Sequence, residues 1–305
     1  MSTVDFSKLP PPSLINQLSY ETIFSQRKER FVSLYDDVEK QIEIRQLLQR
    51  ESEPVTKLLQ ESAYLEMLYQ AKCNQDARSL LLAYAAKSDL DHLALTEYGL
   101  VRLVVTRADN TVIPPIEAVY ESDERLRERC VLSFDGMNTA GSANAYRYFA
   151  LSSNGRVDGI KVRSDEANPY LLDIVITQVD SVNGEASAEL VSIVQAALNP
   201  DHIRPVCDRP TVKSSLATNY QIEAKIYFEK NAEDALLLET AKLRLDQYIK
   251  NAQKNGESIY KSALYAVLHV DGIQRVDITS PVADVIMDSY HHPFCTSKNI
   301  VIGGV

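Results

Sequence analysis

The densest group of reactive side chains in this 305-residue chain is Asp288-Ser-Tyr-His291-His292-Pro-Phe-Cys295. Imidazole and thiolate are zinc ligands, so His291, His292 and Cys295 could contribute to a metal site and to metal-dependent catalysis. A structural zinc needs four ligands, and His92, His202, Cys207 and His269 have no local partners at ligand spacing. The signatures H-E-x-x-H, C-x-x-C and G-x-S-x-G are absent. A metal-dependent enzyme using His291, His292 and Cys295 is therefore the minor reading, and no catalytic, cofactor-binding or metal residue is assigned.

Three further groups invite the same question. Asp89 and Asp91 could form a general acid and base, but Ser88 and Asp89 also suit the cap of a following turn. The run Asp135-Gly136-Met137-Asn138-Thr139-Ala140-Gly141 before Ser142 looks superficially like a phosphate cradle. It lacks the Lys-Ser/Thr of a P-loop and no clear strand precedes it, so it is read as a turn and helix cap. His269 ends a helical pattern just before a turn, where an imidazole favourably faces the helix dipole.

The elements that must position these residues are organised around 52–95. Ser52 is a suitable N-cap and Pro54 a suitable first-turn residue, and no Gly or Pro follows until Gly99. The pattern predicts one long helix from Val55 to about Lys87, on the order of 50 Å at ~1.5 Å per residue. Its apolar residues leave no broad polar face: Leu58 and Tyr69 fall on one side, Leu59 and Ala63 on the next, Tyr64 and Leu68 opposite. Such a helix is expected to be covered from two directions, by its own fold or by another chain.

The hydrophobic content of 45% is enough for two or three domains. A net charge of -10 with dispersed basic residues argues against binding nucleic acid or an anionic membrane. The short basic runs Arg27-Lys28 and Arg125 to Arg129 read as solvated helix faces. No signal peptide or membrane-length apolar run is visible, so folding in a cytoplasm is expected. Cys73, Cys130, Cys207 and Cys295 are far apart and read as reduced packing residues.

Taken in order, residues 1–18 with Pro10-Pro11-Pro12 read as an extended arm. Residues 19–98 read as a helical bundle and dimerisation region, with Ile23, Phe24, Phe31, Leu34 and Tyr35 near helical spacing. Residues 99–156 read as a connecting segment with two helices, over Ser122 to Phe134 and Ser142 to Leu151. Residues 157–216 and 217–305 read as two small α+β domains, strand-strand-helix-strand and strand-helix-helix-strand, the latter with a C-terminal strand. Tyr220 to Glu229 alternates strictly, as in an antiparallel sheet covered on one side. The fold class is α+β, an all-helical N-terminal region followed by small α+β domains with antiparallel or mixed sheets. No G-x-G-x-x-G opens a helix, which argues against a nucleotide-binding parallel sheet.

An ordered set of segments carries a family resemblance. These are Glu51-Ser-Glu-Pro-Val-Thr-Lys-Leu-Leu-Gln60, Leu82-Ala-Tyr-Ala85 followed by Asp89-Leu-Asp91, Arg102-Leu-Val with Ile113-Pro-Pro115, and Gly141-Ser-Ala-Asn-Ala-Tyr146. Val194-Gln-Ala-Ala-Leu198 with Arg204-Pro-Val206, and Ser262-Ala-Leu-Tyr-Ala266 with Val270-Asp-Gly-Ile-Gln-Arg-Val276, complete it. Across nearly the whole chain it resembles the baseplate J-like family of contractile-tailed phages and R-type pyocins. One departure is that a glycine common in the family near Lys87 is missing here.

The resemblance implies a non-enzymatic structural protein of the tail baseplate, assembled in the host cytoplasm and carried in the virion or tail-like particle. It implies a dimer with a second copy, a wedge with a partner like baseplate protein I, and six wedges around the central spike. Other baseplate proteins and neighbouring wedges are further implied partners; nucleic acid, membrane and cofactors are not. The candidate interface residues are Phe31, Leu34, Tyr35, Leu58, Leu59, Tyr64, Leu65, Leu68 and Tyr69. An ordinary cytoplasmic adaptor dimer is the competing non-enzymatic reading.

Overall fold

The computed structural model describes residues 12, 18–138, 141–228 and 234–303. The proline arm, apart from Pro12 and Leu18, falls outside them, as do Thr139 and Ala140 of the glycine loop and Glu229 and Glu233 at element ends. The chain divides into two compact units, Met1–Gly99 and Leu100–Val305.

The first unit is helical. α1 (Tyr20–Val32) is capped by Ser19, whose hydroxyl accepts the Thr22 N–H at 3.3 Å, and α2 (Val38–Leu47) is capped by Asp37. α3 (Pro54–Ser79) packs on α1, and Arg27 Nε donates to Glu66 Oε2 at 2.7 Å across that contact. α4 (Lys87–Tyr98) ends at Gly99, whose φ of +66° is the left-handed cap that glycine adopts without strain.

The single helix expected from Val55 to Lys87 is thus two elements. α3 stops at Ser79 after 26 residues, about 39 Å at ~1.5 Å per residue, and residues 80–86 turn before α4. No Gly or Pro marks the break. Ala85, Leu90 and Ala94 are almost fully buried, so packing overrides a sequence that would locally continue as helix. Lys87, near the place of the missing family glycine, has φ +52°, the one positive φ at a non-glycine among the described residues. The N-cap of α3 is Glu53, without a side-chain cap bond, rather than Ser52.

The second unit opens with a two-stranded antiparallel ladder of β1 (Val104–Thr106) and β2 (Val119–Tyr120). α5 (Asp123–Gly136) and α6 (Ala143–Ser153) follow, capped by Ser122 and Ser142. Gly141 at φ +69° leads directly into the Ser142 cap, where the hydroxyl accepts the Ala145 N–H at 3.1 Å. Arg125 and Arg129, expected to be solvated, are buried instead. Arg129 pairs with the Glu121 carboxylate, which also accepts the Leu103 N–H at 2.9 Å, and Arg125 donates to the Gly155 carbonyl at 2.7 Å. The counter-charge lies outside the helix that carries both arginines.

Two three-stranded mixed sheets form the rest. β3 (Val157–Ser164) runs antiparallel to β4 (Leu171–Gln178), and β5 (Arg209–Ser214) returns parallel to β4 after α7 (Ala188–Leu198). In the second sheet β6 (Leu216–Phe228) is central, antiparallel to β7 (Ile273–Ser280) and parallel to β8 (His291–Ile302). The sheet around 220–228 is therefore mixed rather than purely antiparallel. Its alternation holds: Tyr220, Ile222, Ala224 and Ile226 are buried against α8 (Asp234–Ala252) and α9 (Lys261–Leu268) through Leu245, Leu264 and Leu268. Each such aliphatic side chain contributes roughly 1.5–3 kcal/mol by leaving water. The other core joins Leu132, Tyr146 and Leu151 to Ile174, Ile176, Leu190 and Leu198.

Candidate assembly interface

The His-His-Cys group does not converge. It lies on β8, where successive side chains point to opposite faces. His292 is fully buried, with Nε2 2.7 Å from the Asn183 carbonyl oxygen and Nδ1 2.8 Å from Ser215 Oγ. A carbonyl only accepts, so Nε2 carries the hydrogen, and both ring nitrogens are engaged. His291 Nδ1 instead meets Asp288 Oδ1 at 2.6 Å on the other side, and the half-buried Cys295 directs its thiol to the Ser297 carbonyl at 3.3 Å. Among the described residues no group of three or more His, Cys, Asp or Glu could hold a metal ion.

His292 belongs to a polar seam between the two sheets. Ser215 Oγ reaches the Tyr290 carbonyl at 3.2 Å, and Glu185 Oε1 accepts the Ala217 N–H at 2.9 Å. Asn255 Nδ2 donates to the Val175 carbonyl at 2.7 Å and Tyr290 Oη to Asp173 at 2.6 Å. Burying these polar groups is offset by the hydrogen bonds they make, although Asn255 Oδ1 is buried without a partner among the described residues.

The other sequence candidates also have structural settings. Asp89 and Asp91 lie on α4, and residues two apart on a helix do not face each other. The cap of α4 is Ala86, without a side-chain bond, while Ser88 and Asp89 sit within its first turn. His269 is the C-cap of α9, its N–H bonded to the Tyr265 carbonyl. None of the cysteines is in a disulfide; Cys130 is buried, but Cys73 and Cys207 are exposed rather than packed. Burial pushes the Cys130 thiol up to about 11. No helix among the described residues is long and apolar enough to cross a membrane.

The unexplained surface is on α3. Thr56, Ala63 and Asn74 are buried on one side, and Leu59 is half-buried with them at helical spacing. On the other side Leu58 (69% exposed), Tyr64 (47%), Leu65 (55%), Leu68 (46%) and Tyr69 (69%) face outward. A shallow groove lined by Arg27, Leu58, Glu61, Leu65 and Tyr69 runs along it. Scattered exposed leucines are ordinary, but five large apolar side chains on one helix face form a patch. At the end of α1 and in the turn after it, Phe31 and Tyr35 are half-buried, their rings edge to face at 5.8 Å, while Leu34 is exposed.

The nine candidate residues are thereby divided. Leu58, Tyr64, Leu65, Leu68 and Tyr69 share the open face of α3, whereas Leu59 turns toward the covered side. The polar residues among the open-face leucines, Glu61, Lys72 and Gln75, are also exposed and were not among the candidates.

Residues 51–109 match the baseplate J-like N-terminal domain and residues 220–297 match the C-terminal domain of baseplate J-like proteins. The chain is 39% identical over 304 residues to baseplate protein J of Escherichia phage P2, covering 100% of this chain and 99% of the relative. On that identity and coverage, together with both domain matches, the chain belongs to the baseplate J-like protein family.

Proposed function

We propose that this protein is a structural, non-enzymatic component of the baseplate of a contractile phage tail or tail-like particle. Two copies associate through the helical first unit and join a partner like baseplate protein I to form a wedge. Six wedges close into a ring around the central spike, with the C-terminal sheets available to neighbouring wedges and other baseplate proteins. The protein is assembled in the host cytoplasm and carried in the virion tail. The observation that carries this reading is the open apolar face of α3 in a chain of this family.

The separation of His291, His292 and Cys295 onto different partners supports a structural rather than a catalytic role for that segment. The test is co-expression with the neighbouring tail proteins followed by mass determination. A complex of two copies with one partner supports the wedge. A chain that purifies alone and monomeric, ignoring those proteins, contradicts it.

A further inference from the structure

We propose that His292 is a proton-operated fastener between the two sheets of the second unit: a proton taken up from solvent turns the Ser215 hydroxyl from the imidazole to the Tyr290 carbonyl and adds one hydrogen bond to the seam. The ring is fully buried, so the hydrogens around it can be counted. The Asn183 carbonyl, 2.7 Å from Nε2, only accepts, so Nε2 carries a hydrogen in either charge state. In the neutral ring Nδ1 is then a lone-pair acceptor and takes the single hydrogen of Ser215 Oγ, 2.8 Å away. The Tyr290 carbonyl, 3.2 Å from the same Oγ, goes without that hydrogen and keeps the Leu216 N–H at 2.9 Å. In the imidazolium Nδ1–H donates to Ser215 Oγ, and the hydroxyl hydrogen turns to the Tyr290 carbonyl. All three contacts are then hydrogen bonds, and the two made by the ring are charge-assisted.

The bonds span the two sheets. Asn183 lies in the loop that leaves β4 of the first sheet, whereas Tyr290 and His292 open β8 of the second. Burial opposes a cation there, and a facing carboxylate with a full set of acceptors offsets that cost. The carboxylate is Glu185, which accepts the Ala217 N–H at 2.9 Å and lies close enough for a charge on His292 to act on it. In the same loop Asp180 is occupied by Gln178 Nε2 at 2.7 Å. Residues 215–217 bring no ionisable group, and the end of α8 brings the neutral Gln253 beside Gly184, followed by the exposed Lys254. On the strand of His292 itself, His291 and Asp288 pair on the opposite side and the Tyr290 phenol donates to Asp173. The two protonations therefore act in opposite directions. A proton on His292 tightens the seam, and a proton on Glu185, taken up at lower pH, removes the counter-charge and loosens it.

Measurements on the full chain read this out. Nitrogen NMR of histidine-labelled protein, with the His292 signals identified by their loss in His292→Gln, counts the hydrogens on the ring. At about pH 8 only Nε2 is expected to carry one, and at about pH 5.5, where Glu185 is still a carboxylate, both nitrogens are. A ring holding a single hydrogen at both pH values overturns the proposal. Amide exchange reads the fastening itself, at the Leu216 N–H bonded to the Tyr290 carbonyl and the Gly256 N–H bonded to the His291 carbonyl. Corrected for the pH dependence of exchange in an unfolded chain, both are expected to exchange about threefold or more slowly at about pH 5.5 than at about pH 8, and Ser215→Ala to abolish the difference. A slowing that persists in Ser215→Ala also overturns the proposal. Glu185→Gln keeps an acceptor for the Ala217 N–H and removes only the charge, so the doubly protonated fraction of His292 at about pH 7 is expected to fall about threefold or more. An unchanged fraction contradicts the counter-charge on which the cation rests.

Discussion

His291 and His292, adjacent in sequence, serve opposite faces of one strand: His292 is locked between Ser215 and Asn183, while His291 meets Asp288 outside. The pair that looked most like chemistry is thus divided between a buried structural bond network and an exposed ion-pairing contact. The arrangement makes His292 a fastener between the two sheets.

Replacing that fastener should cost stability. His292→Ala leaves the Asn183 carbonyl and the Ser215 hydroxyl without their buried partner and opens a cavity, and should destabilise the second unit by about 2–4 kcal/mol. Gly184→Ala should also destabilise, because φ is +85° and the added Cβ would lie 2.7 Å from His292 Nε2. Denaturant unfolding measures both; neutral effects would contradict the structural role.

Glu121 is the counter-charge of a buried cluster. Its carboxylate binds Arg129, whose Nη1 also reaches the Val101 carbonyl at 3.2 Å, and Arg125 lies buried nearby. Glu121→Ala strands a buried guanidinium and should cost about 3–5 kcal/mol, whereas removing an exposed carboxylate such as Glu239, which pairs with Lys242, should cost under about 1 kcal/mol. Equal losses for the two variants would show that burial is not what makes Glu121 important.

Lys87 occupies a left-handed backbone at the start of α4. Glycine removes the Cβ strain there but adds freedom to the unfolded chain, so Lys87→Gly should stabilise by up to about 1 kcal/mol. A loss of stability on calorimetry would mean that the lysine side chain contributes more than the backbone strain costs.

Acid should loosen the seam between the sheets. The Ala217 N–H, then Asn183, and then the nearby His292 hold the Glu185 carboxyl below the usual glutamate range against an opposing effect of burial. A carboxyl lowered in the folded state contributes stability that is present above its unfolded value and is lost as pH falls through the folded one. The melting advantage of wild type over Glu185→Gln should therefore shrink between about pH 6 and pH 3. An advantage unchanged across that range would remove the linkage.

Local signals were legible in the sequence because local chemistry produces them. Ser122 and Ser142 open helices as caps, Pro200 follows α7, and the alternation from Tyr220 marks a strand with one buried face. What required the folded chain was set by distant partners. Glu121 buries Arg129 from outside α5, β8 pairs parallel to β6 across many intervening residues, and α3 stops without a breaker. The apolar residues around α3 announced two covered sides, but only packing separates Leu59 from Leu58.

The most direct test of the account is the solution mass of the full chain, wild type and Leu65→Asp/Leu68→Asp, by light scattering over a range of concentrations. Both leucines are exposed, so the variant should keep its melting temperature and helix content while the mass falls from twice 34.2 kDa to 34.2 kDa. A wild type that stays at 34.2 kDa, or a folded variant that still doubles, would contradict an assembly role for the open face of α3.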